Sequence, residues 1–94
     1  MQTISLSSKV KIGNDVVFRE IEGEAVILNL EKGIYFGLEP IGTRIWRLIE
    51  KYHCLKDILK ALLKEYEVEK NRCCEDLMKL VHALHKNGLV QIHG

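Results

Sequence analysis

Gly33-Ile-Tyr-Phe-Gly-Leu38, running through Glu39 into Pro40-Ile-Gly-Thr-Arg-Ile-Trp46, is the stretch on which the fold turns. Its first part joins β-branched and aromatic residues to glycine punctuation, the composition of a strand. Its second part opens on proline, which suits the first turn of a helix because that N–H would find no intrahelical partner anyway. The chain therefore divides near Pro40 into a β half, about residues 9–38, and a helical half, about residues 40–88.

Upstream, Val16 to Ile21 and Glu24 to Leu30 are rich in strand formers, and Glu22-Gly23 between them leaves room only for a tight hairpin. Glu31-Lys32-Gly33 fits a three-residue hairpin with glycine in the left-handed position, returning the chain as Ile34 to Leu38. Three antiparallel strands result. Val10-Lys11-Ile12 suggests a further short strand turned by Gly13-Asn14-Asp15. Downstream, Ile41, Ile45, Leu48, Ile49 and Tyr52 recur on one helical face. A second helix carries Leu55, Ile58, Leu59, Leu62, Leu63 and Tyr66, with Lys56, Lys60 and Lys64 along another side. A third, about Lys70 to Asn87, buries Leu77, Leu80, Val81 and Leu84, and Gly88 stands where a C-terminal cap needs a positive φ. Leu89 to Ile92 then folds back as a short extended tail. The expectation is an α+β fold, a three-stranded antiparallel sheet followed by three helices, as one domain over 1–94 without repeats or linkers.

Composition removes several functions. Fourteen Lys and Arg against thirteen Asp and Glu leave a net charge of +1, so bulk electrostatics favours no nucleic-acid partner. Met1 to Ser8 lacks a cationic region leading an apolar run, and no apolar stretch approaches the roughly 20 residues that cross a bilayer. A soluble, cytoplasmic protein without a membrane partner is expected. Cys54, Cys73 and Cys74 are odd in number and lack Cys-x-x-Cys spacing, which favours reduced packing thiols over disulfides or a zinc site. Cys74, Met78, His82 and His85 could share one side of the third helix, but a single helix does not readily close a tetrahedral metal site. His53-Cys54 adjacency gives no nucleophile geometry, and no phosphate loop, nucleophile elbow or carboxylate pair is visible. The chain is read as non-enzymatic, with no cofactor.

The sheet carries apolar residues on both faces: Val26, Ile27, Leu28 and Leu30 run together, and Tyr35 and Phe36 point to opposite sides. Either the N-terminal segment closes a two-sided core, or one face is a binding surface. Gly33 to Leu38 lies at a sheet edge with no charge between Ile34 and Leu38 and no internal proline, the usual protections, and its two glycines admit another backbone. Such an edge can take an added peptide strand, pair with a copy of itself, or simply be shielded by a helix.

Arg19, Gly23-Glu24, Leu28-Asn29-Leu30, Gly33-x-Tyr35-x-x-Leu38, Gly42, Ile45-Trp46, Asp76 and Gly88-Leu89 together resemble the PqqD-like proteins, the peptide recognition elements of ribosomally made, modified peptides. The resemblance runs from about Val16 to Val90. A free-standing domain with this Tyr35 to Trp46 segment is most similar to the discrete recognition proteins of lasso peptide pathways. It implies a winged-helix-like fold and a precursor's leader peptide added as a strand along Gly33, Ile34, Tyr35, Phe36 and Gly37. It further implies a cleft wall of Asp76, Lys79, Leu80, Ala83 and Leu84 on the third helix. The implied partners are the leader peptide, a separate leader peptidase of the cysteine-protease type and, as a further candidate, a cyclase. Glu39-Pro40 after Leu38 departs from the Asn that many family members carry there, which favours the lasso-type role over a PqqD-type carrier in another pathway. A winged-helix DNA-binding module is the rival, although the third helix mixes Glu75 and Asp76 with Arg72, Lys79 and Lys86 rather than presenting a basic face.

Overall fold

Strand formers and helical repeats become the elements that their spacing suggests. The computed structural model, which describes residues 4–22 and 24–93, runs β1 (Lys9–Ile12), β2 (Val16–Ile21), β3 (Glu24–Asn29), β4 (Ile34–Leu38), α1 (Pro40–Lys51), α2 (Leu55–Glu65), α3 (Lys70–Lys86) and β5 (Val90–His93). β2, β3 and β4 form the antiparallel meander in that order, so β4 is an edge. The turn at Glu22-Gly23 falls partly outside the described residues; Glu22 itself has φ +53°.

The β3–β4 connection is one residue longer than its sequence suggests. Asn29 pairs with Ile34, leaving Leu30 to Gly33 as a four-residue loop. The loop closes where Gly33 N–H donates to Asn29 O at 2.7 Å; Leu30 N–H donates to Asp15 O at 2.9 Å on the β2 side, and its side chain stands 57% exposed. Gly33 takes the left-handed conformation at φ +66°, as a turn closing there requires.

The register places Phe18, Ile27 and Phe36 side by side on the inner face, with Ala25 opposite Leu38. Ala25, Ile27 and Leu38 are buried beneath Ile45, Trp46, Ile49, Leu77, Val81 and Leu84 of the helices. Alternation hides one face and leaves the other outside. Phe18 stacks on Trp46 with ring centres 6.1 Å apart, and the Arg47 guanidinium lies 4.5 Å from the same ring centre.

The N-terminal segment does not close a second core over the outer face of the sheet, where Ile21, Val26 and Tyr35 remain exposed. Instead β1 pairs antiparallel with β5, from Lys9 opposite His93 to Ile12 opposite Val90. The segment is held beside the α1–α2 junction: Val10 N–H donates to His53 O at 2.6 Å, and Leu55 N–H to Ser8 O at 3.2 Å. Val10, Val90 and Ile92 thereby join the core.

α3 ends in a full glycine cap. Gly88 has φ +72°, its N–H donates to His85 O at 3.1 Å, and Leu89 N–H reaches Leu84 O at 2.9 Å. Asn29, buried to 4% exposure, meets this cap. Its Nδ2 donates to Asn87 O and Gly88 O, both at 3.3 Å, while its Oδ1 accepts from Lys32 N–H at 3.1 Å. A Cβ at Gly88 would sit 2.9 Å from Asn29 Nδ2.

Asn29→Ala should cost about 1–3 kcal/mol, the penalty for stranding buried backbone partners. Gly88→Ala should cost a similar ~1–3 kcal/mol through left-handed strain and the lost contact. Urea unfolding of both variants and the double mutant checks this, with sub-additive losses expected because the sites share one contact. Single-variant stabilities within about 0.5 kcal/mol of wild type would contradict it.

Candidate functional site

β4 brings two kinds of group to the surface. Its backbone forms a ladder with β3 on one side only. Its side chains alternate, so that Phe36 and Ile34 are half-buried toward the helices, Leu38 is buried, and Tyr35 is 74% exposed on the outer face. Gly37 lies between, and a Cβ built there would meet nothing within 4 Å. The edge is open to another backbone.

Beside it lies a cavity of about 440 Å³ whose walls come from three elements: Phe36 and Leu38 on β4, Ile41 and Ile45 on α1, and Leu80 on α3. The Glu39 and Asp76 carboxylates border this apolar lining. Gly42 lets α1 come in close, since a Cβ there would sit 3.2 Å from Leu38 Cδ2 and 3.7 Å from Leu80 Cδ2. A second space of about 80 Å³ shares Ile41, Ile45 and Asp76 and continues under the start of α3 to Leu62, Val68 and Cys73. The two together make an apolar groove leading away from the β4 edge.

Of the residues that the sequence nominates, the structure gathers Phe36, Gly37, Asp76 and Leu80 around the larger cavity. Ile34 and Gly33 sit at the far end of the strand, by the β3–β4 turn. Lys79 is exposed and borders a separate polar hollow with Glu75 and Asp76. Ala83 is half-buried, and Leu84 is fully buried in the core. Leu38, Glu39, Ile41, Gly42 and Ile45 are the lining residues that sequence reading did not nominate. Ile41 and Ile45 read as core positions on α1, and the signal for them was the abrupt strand-to-helix junction, which swings the first turn of α1 against the edge.

A larger hollow of about 500 Å³ lies between the β3–β4 turn and β5, lined by polar groups including Asn29, Lys32, His85 and Gln91. Asn29 is already committed there to holding the turn on the helix end.

The Cys73 thiol is pushed above its usual range by desolvation, then by the negative charge of Asp76 and by Cys74, so it stays protonated near neutral pH. Cys54 is the N-cap of α2, and its thiol donates to Leu6 O at 3.6 Å. Among the described residues, no group of three or more His, Cys, Asp or Glu side chains is placed to hold a metal ion. Among the same residues, no helix is long and apolar enough to cross a membrane.

A free sheet edge beside an apolar groove is the arrangement to which, in other domains, an extended peptide can add as a strand. Comparison with known proteins gives the family. The family model described as coenzyme PQQ synthesis protein D (PqqD) matches residues 24–90, and the chain belongs to the PqqD family. No curated protein sequence matches the chain. Among solved structures, it is similar to TbiB1 in complex with the TbiA(beta) leader peptide, with 37% identity and a TM-score of 0.81, over 86% of this chain and 94% of that one. It also shares the fold of a lasso peptide synthetase B1 complexed with the leader peptide, with 24% identity and a TM-score of 0.79, over 88% of this chain and 98% of that one.

Iodoacetamide labelling followed by mass spectrometry checks the Cys73 environment. Below the raised pKa the thiolate is scarce, so Cys73 should react more slowly than free cysteine near neutral pH, with its rate profile displaced to higher pH. A neutral-pH rate equal to or above that of free cysteine would contradict this.

Proposed function

We propose that this protein is a non-catalytic recognition element of lasso-type peptide biosynthesis that binds the leader region of a ribosomally made precursor peptide. The leader adds as a further strand to β4 and lies between β4 and α3, and the protein presents the precursor to a separate leader peptidase in the cytoplasm. The observation that carries the reading is the unprotected β4 edge beside an apolar cavity, in a chain similar over most of its length to TbiB1, a protein solved with a leader peptide bound.

The division of labour is physical. Ladder hydrogen bonds are made by backbone and are indifferent to leader sequence, so the edge supplies general affinity. The cavity between Phe36 and Leu80 takes an apolar leader side chain and supplies selectivity. Glu39 and Asp76 at its border favour a neighbouring basic residue or a hydroxyl donor over a carboxylate. A leader disordered when free loses entropy on binding, so a few buried anchors must offset that cost. The downstream part of the precursor remains outside the groove and free to vary. When the same protein also touches the peptidase, the second encounter becomes effectively intramolecular, at local concentrations of roughly millimolar for a short flexible tether.

Fluorescence anisotropy of a labelled leader segment from the cognate precursor tests the reading. Saturable binding at about micromolar affinity or tighter, near −8 kcal/mol, is expected, with none for a scrambled leader or duplex DNA. Phe36→Ala and Leu80→Ala should each weaken it by roughly tenfold, about 1.4 kcal/mol, while circular dichroism shows both variants folded. Unchanged affinity in both folded variants would remove the anchor from this cavity, and absence of leader binding by the folded protein would remove the function.

A further inference from the structure

A further concave surface shares no residue with the β4 groove. It is a trough of about 450 Å³ whose floor is Leu6, Leu59 and Leu63 and whose rim carries Lys56, Lys60 and Lys70. Two features separate it from an ordinary solvated lysine stripe. The cations converge from α2 and from the first residue of α3 onto one apolar floor, where a simple stripe would decorate a convex helix face. None of the three ammonium groups has an acidic partner among the described residues; the ion pairs there belong to Arg44 and Arg47. Asp57 lies about 100° around α2 from Lys56, turned away from the leucines.

The backbone around the trough decides the form of its occupant. Leu6 O already accepts from Lys56 N–H at 3.0 Å, Ser8 O from Leu55 N–H, and β1 is paired with β5. This leaves no free ladder for an added strand, which favours an occupant that satisfies its own backbone, as a helix does. Lys56 and Lys60, with Lys64 continuing the row, repeat every four residues, about 6 Å apart along the helix axis. Acidic residues at three- or four-residue spacing on a partner helix match that row, with an apolar stripe between them for the leucine floor. A bilayer is too flat to reach a floor set below a lysine rim, and so few cations attract an anionic surface only marginally.

We propose that this trough docks an acidic amphipathic helix of a partner protein, on a surface separate from the leader groove. Binding there leaves β4 accessible, so substrate and partner can be held at once.

The test uses a stapled helical peptide with leucines at i, i+4 and i+7 flanked by glutamates, titrated into the isotope-labelled protein and followed by amide chemical shifts. Saturable changes are expected around Leu6, Lys56, Lys60, Leu63 and Lys70. Affinity should fall by about tenfold or more in Lys56→Glu/Lys60→Glu, whose exposed positions leave folding intact. It should be unaffected by Phe36→Ala, so this proposal stands or falls apart from the leader reading. The proposal is overturned by an absence of saturable changes in the trough, by equal binding of a peptide with lysines in place of the glutamates, or by retained affinity in the charge-reversed variant. Binding of phosphatidylserine vesicles or duplex DNA at this surface without binding of the acidic peptide overturns it as well.

Discussion

The Asn29 side chain is the contact on which the geometry of the groove depends. It is buried at the end of β3 and joins two parts of the chain 58 residues apart, the turn that aims β4 and the cap that ends α3. Those two elements are the walls of the proposed cleft, so one carboxamide fixes their separation at the turn end. Gly88 complements it twice, supplying the left-handed conformation of the cap and leaving the space that Asn29 fills. At the other end, Gly42 permits the close approach of α1 to Leu38 and Leu80. The groove is thus set at both ends by close contacts and stays open along β4.

This arrangement follows from the size of the domain. A domain of this size has little core to spare, and burying only one face of its sheet leaves the edge strand without cover. Elsewhere an unprotected edge invites aggregation; here an apolar cavity, the glycine at position 37 and the carboxylates of Glu39 and Asp76 adjoin it, which supports the proposed reading of a selective edge. In the proposed complex a disordered leader, rather than the groove, would carry most of the entropy cost of binding.

Much of this was legible in the sequence because its causes are local. Pro40 at a helix start, Gly33 and Gly88 at positive φ, and the stripes of α1 and α2 each depend on neighbours a few residues away. The misreadings share the opposite cause. The β3–β4 loop is a residue longer because it closes on Asn29, which is itself held to the α3 cap 58 residues away, and the N-terminal strand pairs with β5, some eighty residues downstream, instead of covering the sheet. Neither event leaves a local mark. Leu80 and Leu84 illustrate the limit on the site itself: spacing places them on adjoining faces of one helix, but only tertiary packing buries Leu84 completely and turns Leu80 toward β4. Ile41 was hidden for the same reason, reading as core from its period yet standing 47% exposed at the mouth of the groove.

Strand addition to β4 is the central claim, and amide hydrogen exchange of the protein with and without its cognate leader addresses it most directly. An added strand pairs with every second residue of an edge, so exchange should slow at alternate amides between Ile34 and Leu38, the others changing little. Saturating leader that left all of these amides exchanging as in the free protein, with protection appearing elsewhere, would contradict it.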